Sequence, residues 1–111
     1  MVESDFAQQA TALLGRIQDA LDRAFVRHDL EGDCELEGGV LRVGFADDSR
    51  MVINLQPALR EIWVASRRGG FHFRRDAQGQ WIDTRDGCTL VQRLAAEVSH
   101  HAGLAVQFDP L

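Results

Sequence analysis

The chain has 111 residues and a formal net charge of −5 at pH 7, from seventeen acidic side chains against twelve basic ones, every one of them arginine. That length accommodates one core and one domain, residues 1–111, and no apolar run approaches the ~20 residues needed to span a bilayer. Residues 1–37 carry nine acids and three arginines, a balance of −6, and residues 38–111 carry eight acids and nine arginines, +1. Nucleic acid needs a basic footprint that this chain lacks. A cation or a basic partner protein, steered by charge, fits better. No basic segment followed by an apolar one marks a secretory signal, and Cys34 and Cys88 form no CxxC pair, so a reduced, cytoplasmic setting is expected.

Ser4 is placed to cap a helix, with Asp5 favourable to its dipole. Phe6, Ala10, Leu13, Leu14, Ile17, Leu21 and Phe25 then recur at helical spacing, predicting an amphipathic helix to about residue 25. Asp19 and Asp22 share its polar side. A polar link, Val26 to Gly32, leads into Asp33-Cys34-Glu35-Leu36-Glu37, which alternates strictly. Cys34 and Leu36 turn inward, and Asp33, Glu35 and Glu37 line up outward about 7 Å apart. A row of like charges costs stability. It can serve to keep an edge strand from pairing with another sheet, to hold a cation, or both.

Gly38-Gly39 reads as a hairpin turn. The next strand buries Leu41, Val43 and Phe45, and Asp47-Asp48-Ser49 turns the chain into a third strand from Arg50, which Pro57 ends. In that strand Met51, Ile53 and Leu55 face one way, Asn54 and Gln56 the other. In the next, Ile62 and Val64 point inward and push Trp63 outward. Tryptophan beside two side-chain amides has the composition of a binding hot spot; the alternative is that a loop or Arg60 covers it. Arg67 to Gly70 reads as a basic, flexible loop, and Phe71-His72-Phe73 as a short strand. Asp76 to Gly79 reads as a turn and Gln80 to Asp83 as a last strand, in which Trp81 packs. Thr89 with Gln92 is a capping-box pair opening a second helix, with Leu90, Leu94, Ala95 and Val98 buried. His100 and His101 sit in its last turn, where histidine commonly partners the dipole, and Gly103 follows as its stop. Leu104 to Phe108 is apolar enough to fold back on the helices. Helix, antiparallel strands, helix predicts an α+β two-layer sandwich, both helices on one face of a sheet of five to six strands. The other face, carrying Asn54, Gln56 and Trp63, stays open.

Asn54-x-Gln56-x6-Trp63, with Gly38-Gly39-Val40-Leu41 before it and Gly69-Gly70-Phe71-His72-Phe73 after, resembles the frataxin family in its bacterial branch. The likeness runs from Ser4-Asp5-Phe6 to the last helix, and its order and spacing are more specific than any one piece. It implies the same α-β sandwich.

Read from the residues, the acidic cluster offers hard oxygen ligands for Ca²⁺, Mg²⁺, Mn²⁺ or iron. It has no HxxxH, no cysteine pair and no EF-hand loop, so the expectation is a weak, poorly selective cation surface. The family resemblance implies ferrous and ferric iron (Fe2+/Fe3+) on Asp19, Asp22, Asp29, Glu31, Asp33 and Glu35. Gln18 and Arg23 stand where bacterial relatives usually carry further acids, which lowers the expected capacity. It further implies a role in iron–sulfur cluster assembly, with the ridge meeting a basic patch on the cysteine desulfurase and Asn54, Gln56 and Trp63 meeting its junction with the scaffold protein. Catalysis has no support in the pattern: Ser66 and Cys88 lack the adjacent base a nucleophile requires. The leading expectation is an iron-binding regulator, a monomer by default; a docking adaptor with incidental metal binding, or an iron oxidase or storage assembly, are the alternatives.

Overall fold

A computed structural model describes the backbone of residues 2–111 and side chains from residue 5 onward. The chain runs α1 (Val2–Arg27), β1 (Gly32–Glu37), β2 (Val40–Phe45), β3 (Arg50–Gln56), a 3-10 turn (Pro57–Leu59), β4 (Glu61–Ser66), β5 (Gly69–Arg75), β6 (Trp81–Asp83) and α2 (Leu90–Ala102). All six strands form one antiparallel sheet in chain order, with β1 and β6 at its edges.

Alternation decides which face meets the helices. Leu41, Val43, Met51, Ile53, Ile62, Val64 and Phe73 point inward and are almost wholly buried against the stripe of Leu13, Leu14, Ile17 and Leu21 on α1 and of Leu94 and Val98 on α2. Burying each of the larger side chains contributes roughly 1.5–3 kcal/mol. The β1–β2 hairpin turns through Gly38 and Gly39 at φ of 60° and 79°, a left-handed pair that L side chains adopt at a cost. Thr89 and Gln92 form the expected capping box, and Gly103 ends α2 in the left-handed conformation. Val106 and Phe108 of the tail are buried in the same core.

Three local expectations differ from what forms. Helix α1 starts at Val2, so Ser4 lies within it rather than at its cap; its side chain is outside the described residues. The helix also runs on to Arg27, where Asp29 at φ 51° stops it and the Leu30 N–H donates to the Phe25 carbonyl at 2.8 Å, a left-handed closure in which aspartate replaces glycine. The basic loop is a two-residue turn, Arg67-Arg68, because Gly69 and Gly70 already pair in β5 with Ser66 and Ala65.

Side-chain bonds to α2 pin that turn. The Arg68 guanidinium donates to both oxygens of Glu97, at 3.2 and 2.6 Å, and Ser66 Oγ donates to the same carboxylate at 2.6 Å. Burial acts to raise the Glu97 pKa, but the Arg68 and Ser66 bonds prevail and hold it below the usual range. Arg67 pairs with Asp47. Its backbone N–H donates to His101 Nε2 at 3.1 Å. His101 is therefore a buried connector, stacked on Phe45 with centroids 4.5 Å apart, rather than an exposed partner of the helix dipole.

Candidate functional site

The acidic residues come from three elements. Asp19 and Asp22 are exposed on α1, Asp29 and Glu31 on the link, Asp33 and Glu35 on β1, with Glu37 beyond them. Helix and edge strand meet at Cys34, where burial, and then the neighbouring Asp22 and Asp33 carboxylates, push the thiol up to about 12. Gly44, opposite Asp33, leaves room for its carboxylate. A Cβ on Gly44 would come within 2.5 Å of Asp33 Oδ1 and 3.5 Å of Arg50 Nη1. Glu35 faces Arg42 at 4.0 Å, both well exposed, a pair worth little in water.

The basic residues of α1 turn away from this edge toward the tail. Arg23 Nε and Arg27 Nη2 donate to the two oxygens of Asp109 at 2.7 and 2.9 Å. The carboxylates are spread out. Among the described residues, no group of three or more His, Cys, Asp or Glu side chains is close enough to hold a metal ion. Exposed, dispersed oxygens of this kind suit a hydrated cation held by one or two carboxylates at a time.

On the open face, the register aligns Glu37, Val40, Asn54, Trp63 and His72 in one cross-strand row over five strands. At about 4.8 Å per strand, Trp63 stands about 14 Å from the acidic edge. Asn54 is its direct neighbour on β3, and Gln56 Nε2 donates to Asn54 Oδ1 at 3.2 Å. The indole is half-buried. What lies against it is the His72 ring, 4.1 Å away between centroids and tilted by 6°.

Beneath the indole is Glu61, 5% exposed. Trp63 Nε1 donates to its Oε1 at 2.9 Å, and Arg74 Nη2 to its Oε2 at 2.6 Å. Burial acts to raise the Glu61 pKa; the two hydrogen bonds and the Arg74 charge outweigh it, so the carboxylate stays ionised. The sequence reading overlooked Glu61, His72 and Arg74. Their signal was alternation: Glu61 lies two residues before Trp63, and His72 lies between two inward phenylalanines.

The molecule thus presents an open sheet face with a central tryptophan, beside an acidic edge formed by a long first helix and the first strand. A family model, described as a frataxin-like domain, matches residues 1–104. The chain belongs to the frataxin family.

Among curated frataxin relatives, the iron–sulfur cluster assembly protein CyaY of Cupriavidus taiwanensis is 42% identical over 106 residues, covering 96% of this chain and 95% of its own. That of Janthinobacterium sp. is 40% identical over 107 residues, with the same shares covered. The frataxin of Psychromonas ingrahamii shares the fold at a TM-score of 0.76 and 23% identity, over 97% of this chain and 98% of its own. A ferrous complex of trimeric frataxin from the yeast Saccharomyces cerevisiae aligns at a TM-score of 0.72 and 31% identity, over 85% of each chain.

Proposed function

We propose that this chain is an accessory protein of iron–sulfur cluster assembly that docks on the cysteine desulfurase and its scaffold protein. The observation that carries the reading is the open face: Trp63, set directly opposite Asn54 by the sheet register with Gln56 bonded to Asn54, and an acidic edge three strands away. In this reading the acids steer the encounter with a basic partner and the aromatic anchors the contact. The names of the curated relatives support the pathway. The family is named for assembly rather than for an enzymatic activity, and the site offers no nucleophile with an oriented base. Among the described residues, no helix is long and apolar enough to cross a membrane.

Iron is the cargo or signal in this proposal, taken weakly by Asp19, Asp22, Asp29, Glu31, Asp33 and Glu35. The ferrous complex of the yeast neighbour supports iron, while the spread of the carboxylates favours a second reading, an adaptor whose acids recognise arginine and lysine.

Trp63→Ala tests the docking reading. The variant should stay folded and lose about 30-fold or more in affinity for the desulfurase–scaffold complex, the loss expected of a hot spot. Unchanged affinity sinks it. Anaerobic titration of ¹⁵N-labelled protein with Fe(II) separates the two readings of the ridge: broadening confined to residues 19–37 supports iron, and none at several equivalents supports the adaptor.

A further inference from the structure

We infer that Glu61 is a positioning residue of the docking face, fixing Trp63 in the orientation a partner meets; this rests on the docking reading above. A carboxylate on the open face of a sheet would ordinarily be hydrated. Glu61 is 5% exposed there, because the indole folds back along β4 over it and the Arg74 guanidinium closes the other side. An indole N–H donates a single hydrogen bond and accepts none. Bonding to Oε1 at 2.9 Å therefore selects one orientation of the ring.

His72 completes the lock from β5. Its ring lies parallel to the indole at 4.1 Å, and its Nδ1 is 3.8 Å from the same Oε1, beyond hydrogen-bond reach. Trp63 is thus held by a bond in its own plane and a ring against its face. A side chain fixed before the encounter has less freedom to lose in it, which is worth about three- to tenfold in affinity. Arg74 keeps the carboxylate ionised and spends one donor doing so. The rest of its fork remains for a partner's acceptors.

The test is a double-mutant cycle with a readout in the unbound protein. In ¹⁵N-labelled protein, with Trp81→Phe to identify the signals, the Trp63 Nε1–H should exchange with water about tenfold faster or more in Glu61→Ala, the loss of a bond to a charged acceptor. Affinity for the desulfurase–scaffold complex should fall about three- to tenfold in Glu61→Ala. It should change less than about twofold when Glu61→Ala is added to Trp63→Ala. Glu61→Gln keeps one acceptor oxygen but loses the charge and sets its amide N–H2 against one of the two donors, so it should lie between the wild type and Glu61→Ala in both measurements. Unchanged indole exchange in Glu61→Ala overturns the proposal, as does an affinity loss of equal size with and without Trp63. If Trp63→Ala binds as the wild type does, the docking reading falls, and the exchange experiment alone judges whether Glu61 fixes the ring.

Discussion

Lowering the pH from 7.5 to 5.5 probes the clamp that holds the β4–β5 turn on α2. His101 Nε2 accepts the Arg67 backbone N–H, so the ring is neutral with its proton on Nδ1, 2.8 Å from Ser49 Oγ. Ser49 Oγ in turn donates to Asp47 Oδ1 at 2.5 Å. A second proton on the ring would set two N–H groups against each other in a buried site. Burial lowers the His101 pKa, with the Arg67 and His100 charges acting the same way and those of Asp47 and Glu97 partly opposing. Since the folded pKa lies below the unfolded value of about 6.5, the unfolded chain takes the proton first as the pH falls. The stabilisation is complete above about pH 6.5 and declines below it, by at most about 1.4 kcal/mol per pH unit. Between pH 7.5 and 5.5 the loss attributable to His101 is therefore at most about 1.4 kcal/mol, against the 5–15 kcal/mol typical of a domain. Urea denaturation at pH 7.5, 6.5 and 5.5, on the wild type and on His101→Gln, isolates it from His28, His72 and His100. The wild type should lose more stability than the variant over this range. Equal losses would refute the argument.

Replacing Asp33 and Glu35 together by their amides should slow association with the basic partner at low salt, and the gap should close near 1 M salt; a gap that ignores salt argues against steering. The same variant should be no less stable than the wild type, because a row of like charges is relieved. Cys34, its pKa raised to about 12 by burial and the neighbouring Asp22 and Asp33 charges, should resist iodoacetamide at pH 8 in the folded protein and react once urea unfolds it; fast native labelling, mapped by mass spectrometry, contradicts that. Leu94→Ala removes a side chain that is wholly buried between α2 and the sheet and should cost about 2–5 kcal/mol in urea denaturation.

Periodicity carried most of the architecture. Strict alternation from Asp33 to Glu37 and from Met51 to Gln56 placed the acids and the amides on the outer face, and the Gly-Gly turn fixed the β1–β2 register. The partners of Trp63 were harder to read. Asn54 is adjacent only because β3 and β4 pair in one particular register, and His72 only because a two-residue turn follows Ser66. Taking Arg67 to Gly70 as a loop and β5 as Phe71 to Phe73 alone left Arg74 off the strand and the pairing of His72 with Trp63 unset. His101 and Glu97 were illegible for another reason. Their partners, Arg67, Arg68, Ser49 and Ser66, lie some thirty to fifty residues earlier in the chain, and nothing local marks a histidine in a last helical turn as buried.

The sheet order has a kinetic consequence. Each strand pairs with its neighbour in sequence, so the sheet can zip up from hairpins without closing a long loop. The distant closures belong to α2 and the tail: Arg23 and Asp109 are joined across 86 residues, and His28 Nε2 accepts the Gln107 N–H at 2.9 Å. Loop-closure entropy predicts that contacts of that span are assembled after the hairpins, and contacts made late hold the native state shut rather than hasten its formation. Removing the last few residues should therefore appear in the unfolding limb of a chevron, with refolding almost as fast as before.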